Sequence, residues 1–284
     1  MATEKLVVAL GDRRYRIERP WGALPSTAGK VTAVTVDPAG RVFVLTRYDP
    51  YAATRGDPVY VLDRDGALRG SFGGARISDA HMIACDGAGR IWVVDRDAHE
   101  LVAFDASGRE LASLGGRHRP LEPFNHPTDV AFGPDGTIVV SDGYANGLVH
   151  RFAADGTKLA AWGKVGREPG AFMTVHSVWV VPDGRIVVAD RENNRLQVFT
   201  PEGRLLTVIE GFQRPSDLWG DRDGRVYVCD GIPTLTCLTP DGTVLGRCRP
   251  VLDSAHGVWG DAQGRIYIAE GNPSRVTLLV PIPA

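Results

Sequence analysis

Three of the seven histidines in this 284-residue chain stand at one recurring place. Six segments are variants of a single unit: "VTAVTVDPAGRVFVLTR" (31–47), "AHMIACDGAGRIWVVDR" (80–96), "PTDVAFGPDGTIVVSDG" (127–143), "VHSVWVVPDGRIVVADR" (175–191), "PSDLWGDRDGRVYVCDG" (215–231) and "AHGVWGDAQGRIYIAEG" (255–271). Aligned on their turn glycines, the position eight residues earlier reads Thr32, His81, Thr128, His176, Ser216 and His256. If this position begins strands arranged in a ring, the alternate imidazoles are related by an approximate threefold axis and converge on it. Three neutral imidazoles with a fourth position open are the ligand set of a catalytic zinc. Imidazole also serves manganese, iron or copper, so another divalent transition metal is a lesser expectation. The competing reading is a set of polar caps over a channel, which holds for most single histidines. Three imidazoles in one alternating column favour the metal.

The position seven residues after each turn glycine holds Arg47, Arg96, Gly143, Arg191, Gly231 and Gly271, and closes the second strand at the histidine end. Arginine there has two readings that the residues leave open, an ion pair with a surface acid or a planar fork for a substrate carboxylate. Tyr144 follows the glycine that replaces arginine in the third unit. It is open in the same way, between packing and proton transfer beside a metal. His99 falls at a repeat turn, His118 and His150 read as loop and strand surface, and His126 lies near the mouth without a feature that selects it as a ligand.

The elements that must position these groups follow from the repeat. Each unit is an apolar run, a turn cluster such as Pro-Asp-Gly and an alternating β-branched run, which is a hairpin by pattern and turn chemistry. Third and fourth strands follow, as in "RLQVFTPEG" and "RLLTVIEG". Four short strands repeated six times predict an all-β, six-bladed β-propeller in one domain, 1–284, with blades near 31–75, 78–117, 126–165, 174–212, 214–249 and 254–281. The last unit lacks a fourth strand of its own, and "RRYRIERPWG" (13–22) is expected to join it, closing the ring and removing an open edge.

Composition narrows the function classes. Hydrophobic residues are 43% and charged residues 23% of the chain, values that fit a folded domain. Lys and Arg total 32 against 34 Asp and Glu, without a basic block, so nucleic acid is not an expected partner. No apolar run is long enough to span a membrane or, with its flanks, to be a signal peptide, so a cytoplasmic location is expected. Cys85, Cys229, Cys237 and Cys248 lack paired spacing and read as reduced thiols, with Cys85 and Cys229 in the core.

The units resemble NHL repeats through "ADRENNRLQVF" followed by "TPEG". More specifically, "PTDVA", "VSDGY", "VADREN" and the three ring histidines resemble the peptidyl-α-hydroxyglycine α-amidating lyases, six-bladed zinc-dependent propellers of the NHL group. By that resemblance His81, His176 and His256 are the zinc ligands, Tyr144 is the catalytic tyrosine, and Arg47 and Arg191 are active-site arginines. The implied reaction cleaves the C–N bond of a carbinolamide bearing a carboxylate or similar polar group. Gly257 stands where the family has an aspartate after the third ligand, so the family's structural calcium is not expected, and Ala145 replaces a half-cystine. A small-molecule substrate is therefore expected, with peptide-hormone amidation disfavoured. Two rivals accompany this expectation, a zinc-hydroxide hydrolase or hydratase and a non-catalytic NHL propeller that binds a protein. A lactonase-like site would want carboxylates in the histidine column, which has none.

Overall fold

The computed structural model describes residues 6–49, 55–251, 253 and 255–283. They form six antiparallel sheets, five with four strands and one with five. The first strands of the six sheets touch in cyclic order and so line a central channel. These are Lys30–Val36, Ala80–Cys85, Asp129–Phe132, Val175–Val180, Asp217–Gly220 and Ala255–Gly260. The chain is thus a six-bladed β-propeller, and residues 50–54 of the first blade lie outside the described set.

The turn glycines explain why each hairpin forms where it does. Gly40, Gly89, Gly136, Gly184, Gly224 and Gly264 have φ between +76° and +88°, a region that a Cβ disfavours. An aspartate three residues earlier often finishes the turn. Asp86 Oδ1 accepts from the Ala88 and Arg90 amides, and its Oδ2 accepts from Arg90 Nε and Trp92 Nε1. Asp261 repeats the arrangement with Gln263 and Arg265. Removing a buried acceptor of this kind strands several donors. Asp86→Ala should therefore cost about 3 kcal/mol, read as a lower urea midpoint, whereas a change within about 0.5 kcal/mol would mean that the turn stands without its cap.

Strand Arg13–Trp21 pairs antiparallel with Ser274–Ile282, so the amino-terminal strand completes the last sheet. A further strand, Val7–Leu10, pairs on its outer side and gives that sheet its fifth member. Its Leu10 is buried in the cluster between the fifth and sixth blades. The apolar cores lie between neighbouring sheets, because the second and third strands are covered on both faces, as in Ile91–Asp95 and Glu100–Phe104. This placement buries His150, which does not lie on the surface as the strand pattern suggests. Its Nε2 lies 3.2 Å from Asp142 Oδ2 between the third and neighbouring blades.

At the far end of the channel, Trp179, Trp219 and Trp259 stand at one position of three consecutive blades. Gly220 and Gly260 make room for two of them: an added Cβ would lie 2.2 Å from Trp179 Nε1 and 2.2 Å from the Trp219 ring. Trp179 and Trp259 meet edge to face at 5.7 Å. Indoles therefore crowd that end, and the histidine end is the chemically equipped one. All four cysteines are unpaired, with Cys229 buried and Cys85 partly exposed. Among the described residues no helix is long and apolar enough to cross a membrane.

Candidate functional site

The histidines converge because each occupies a break in strand register. Pairing skips His256 between Ala255 and Gly257 and His176 between Val175 and Ser177, and it skips both His81 and Met82 between Ala80 and Ile83. A regular strand would alternate these side chains between its two faces, whereas a bulge re-aims one of them. The three rings pack edge to face with centroids 5.1–5.4 Å apart. One nitrogen from each lies within 4.8 Å of the others.

The hydroxyl positions of the alternating column have a structural role. His81 Nδ1 lies 2.6 Å from the Thr128 carbonyl, His176 Nδ1 2.5 Å from the Ser216 carbonyl and His256 Nδ1 2.8 Å from the Thr32 carbonyl. A carbonyl only accepts, so each Nδ1 carries the proton and donates, leaving the Nε2 lone pair for the channel. Thr128 and Ser216 in turn donate their hydroxyls to the Val175 and Ala255 carbonyls, directly before His176 and His256. Each hydroxyl blade thus fixes the tautomer of one histidine, and two of them also brace the backbone before the next.

Tyr144 stands over this ring. Its hydroxyl lies 3.1 Å from both His81 Nε2 and His176 Nε2. A phenol has one proton and can satisfy only one of two lone pairs, so the donor set has spare capacity for a cation. Three neutral imidazole nitrogens around one point are a donor set that could hold a divalent transition metal. Gly143 lets the tyrosine reach this point. A Cβ there would lie 1.9 Å from the Val175 carbonyl, the residue before His176. Gly143→Ala should therefore destabilise the fold by about 2–3 kcal/mol, measured by urea unfolding, and an unchanged midpoint would show that the two blades separate freely there.

The arginines frame the tyrosine. Arg191 Nη1 donates to the Tyr144 hydroxyl at 3.3 Å, while its Nε is held by Glu192. Arg47 grips Asp79 through two nitrogens at 2.5 and 2.6 Å. The ion-pair reading of this column is thus realised at Arg47, which also stands close enough to act on His81 and His256. Arg96 was visible in the same column without being singled out. Its guanidinium lies 5.2 Å above the Tyr144 ring and pairs with Asp79 and Asp97. Asp79 lies in the connection before the second blade, where the repeat has no column that would have exposed it. His126 is near the mouth, its carbonyl at the limit of reach of the Tyr144 amide, and His99 takes a left-handed turn conformation with φ +60°. His118 is exposed. The cavity of about 460 Å³ at the opposite end is lined by turn residues such as Asp37, Asp86 and Asp261, whose carboxylates already cap their turns.

Burial, followed by the charge of a neighbouring histidine, pushes His81 and His176 well below the usual imidazole range. Burial lowers His256 to about 4. One residue along the strand, Asp129 and Asp217 face a single hydroxyl, that of Ser177, at 2.7 and 2.9 Å. Burial raises both carboxyls, Asp129 to about 7. The two sets act oppositely on stability. Below about pH 6.5 the unfolded chain protonates the imidazoles and the folded chain does not, so stability falls with pH. Between about pH 4 and 7 the folded chain holds a carboxyl proton that the unfolded chain releases, so this contribution grows as pH falls. Asp217→Asn removes an opposing group. The metal-free variant should lose stability more steeply than its parent as pH falls through the acid range in urea titrations, and parallel curves would refute the assignment.

Comparison with known proteins agrees with this architecture. The NHL repeat model matches residues 124–152 and 172–199, the third and fourth blades. A Caenorhabditis elegans protein named "probable peptidyl-α-hydroxyglycine α-amidating lyase" is 34% identical over 149 residues, 50% of this chain and 43% of that protein. Peptidylglycine α-amidating monooxygenase of Rattus norvegicus is 30% identical over 218 residues, 66% of this chain and 22% of that protein. Peptidyl-α-hydroxyglycine α-amidating lyase 2 of Drosophila melanogaster is 27% identical over 234 residues, 73% of this chain and 56% of that protein. The matched stretches thus span less than two thirds of each relative. Among solved structures, a streptogramin B lyase superposes with TM-score 0.67 at 14% identity, covering 94% of this chain and 98% of that one. A gluconolactonase from Xanthomonas campestris superposes with TM-score 0.70 at 17% identity, covering 96% and 91%. Identities this low speak to the fold alone. The chain is a six-bladed propeller with NHL repeats in its third and fourth blades, and it is similar in sequence to proteins named as amidating lyases.

Proposed function

We propose that this propeller is a metal-dependent lyase of the amidating type, acting on a small carbinolamide that bears a carboxylate. The observation that carries the reading is the Tyr144 hydroxyl set 3.1 Å from the Nε2 atoms of both His81 and His176. His81, His176 and His256 would hold the ion, with zinc the best match to their chemistry. When bound, zinc supplies Lewis acidity that makes a nearby carbinol hydroxyl easier to deprotonate.

The remaining work falls to the chain's own side chains. Tyr144 takes the carbinol proton as the C–O electrons close to a carbonyl and the C–N bond breaks. It returns that proton to the departing nitrogen, so R–CO–NH–CH(OH)–COO⁻ yields R–CO–NH₂ and OHC–COO⁻ with no other reactant. Arg191, bonded to the phenol, favours its anionic form through the transfer. Arg47 and Arg191 orient the carboxylate, holding the carbinol toward the tyrosine. A cytoplasmic setting and a free small-molecule substrate belong to the same reading.

The test is protein purified without chelator and offered N-benzoyl-α-hydroxyglycine. Equimolar benzamide and glyoxylate are expected, abolished by chelation and restored by zinc. Stoichiometric metal without either product would reject the lyase while leaving the metal site standing.

A further inference from the structure

The mouth carries more guanidinium groups than one substrate carboxylate needs. Arg47 and Arg96 share a single acid, Asp79, whose Oδ2 lies 2.6 Å from Arg47 Nη2 and 2.8 Å from Arg96 Nη2. The second acid on Arg96, Asp97, is half exposed, so water screens much of its charge. Across the ring, Arg191 and Arg214 likewise share Glu192. Four guanidinium groups therefore face three carboxylates. Arg191 contacts Tyr144 and Glu192, whereas the Nη1 groups of Arg47 and Arg96 make no hydrogen bond or ion pair among the described residues. Arg96 is also held in place, with its guanidinium 5.2 Å over the Tyr144 ring and its side chain 24% exposed. A cation fixed this way, with one of its acids shared and the other half exposed, is most readily balanced by an anion from outside the chain.

We infer that Arg96 forms a second anion subsite beside Arg47, and that the substrate is a small dianionic carbinolamide whose acyl half carries its own carboxylate. This rests on the lyase reading and narrows its substrate class. The carboxylate beside the carbinol carbon is held by Arg47 and Arg191, and the acyl carboxylate lies at Arg96 on the second blade. Arg96 is thereby a specificity-determining residue that selects acidic over neutral acyl groups. Nothing in the bond changes is altered, because the second carboxylate takes no part in them.

The inference is tested by calorimetric binding of two unreactive analogues that lack the carbinol hydroxyl, N-succinylglycine and N-acetylglycine, to the protein as purified. The dianion should bind about tenfold more tightly, and the difference should shrink as salt is raised. Arg96→Gln should bring the ratio to within about twofold, chiefly by weakening the dianion, while Arg96→Lys retains part of the preference because it retains the charge. Metal content equal to the parent's verifies that each variant is folded at the site. Equal affinities in the parent, or an equal loss for both analogues in Arg96→Gln, would overturn the subsite. The lyase reading fails separately, through absence of glyoxylate from N-succinyl-α-hydroxyglycine while the binding preference persists.

Discussion

His176→Ala should lower bound metal from about one ion per chain to under about a tenth, and turnover should fall by at least about a thousandfold. The expected loss is large because His176 cannot be replaced by a neighbour. The only group of three or more metal-ligating side chains among the described residues is His81, His176 and His256. Its Nδ1 proton is committed to the Ser216 carbonyl, so the imidazole is already in the tautomer that presents Nε2. The substitution also removes a donor from that carbonyl and leaves a cavity, so lost activity alone would be ambiguous. Elemental analysis resolves this, with His176→Gln as a bulkier companion that fills the space. Stoichiometric metal in either variant would show that the three-histidine site is wrong. Thr128→Val provides a contrast, because it leaves the carbonyl that holds His81 and removes the hydroxyl with its bonds to the Val175 carbonyl and to Ser141. It should retain metal and lose stability instead, by about 1–2 kcal/mol.

The histidine column was legible because turn glycines fix the register of every hairpin, and eight residues is a constant offset from them. The missing fourth strand of the last unit, together with the fourth-strand character of 13–22, placed strand Arg13–Trp21 beside Ser274–Ile282. What the column could not express is the bulge that turns each histidine inward, since an unpaired residue leaves the sequence spacing unchanged. Nor could it express why hydroxyls alternate with imidazoles, a relation that crosses from one blade to the next through backbone carbonyls. Strand Val7–Leu10 lies outside the repeat, and pairing on one side leaves only a weak alternating pattern. His150 misled for a related reason: its strand is covered by sheets on both faces, so a polar residue there signals a buried pair with Asp142. Arg96 stood in the right column, but only the position of the Tyr144 ring distinguishes a cation aimed at the site from one aimed at a surface acid.

Tyr144→Phe should keep its metal and lose catalysis, with kcat falling about a hundred- to a thousandfold and KM changing by less than about threefold. Phenylalanine preserves the ring between Arg96 and Arg191, whose guanidinium groups lie 5.2 and 5.5 Å from its centroid, so the mouth should keep its shape. Only the oxygen is removed, and it is the atom that faces His81, His176 and Arg191 together. If that oxygen carries the proton from carbinol to departing nitrogen, its loss raises the barrier to the chemical step by about 3–4 kcal/mol while the carboxylate contacts persist. A purely structural tyrosine predicts a different pattern, with thermal stability and KM changing and kcat nearly constant. The pH profile separates the two again. The parent should show a limb that reports the proton-transfer group, and Tyr144→Phe should flatten that limb. If the limb survives unchanged in the variant, another group moves the proton, and Tyr144 serves only to orient the substrate over the three histidines.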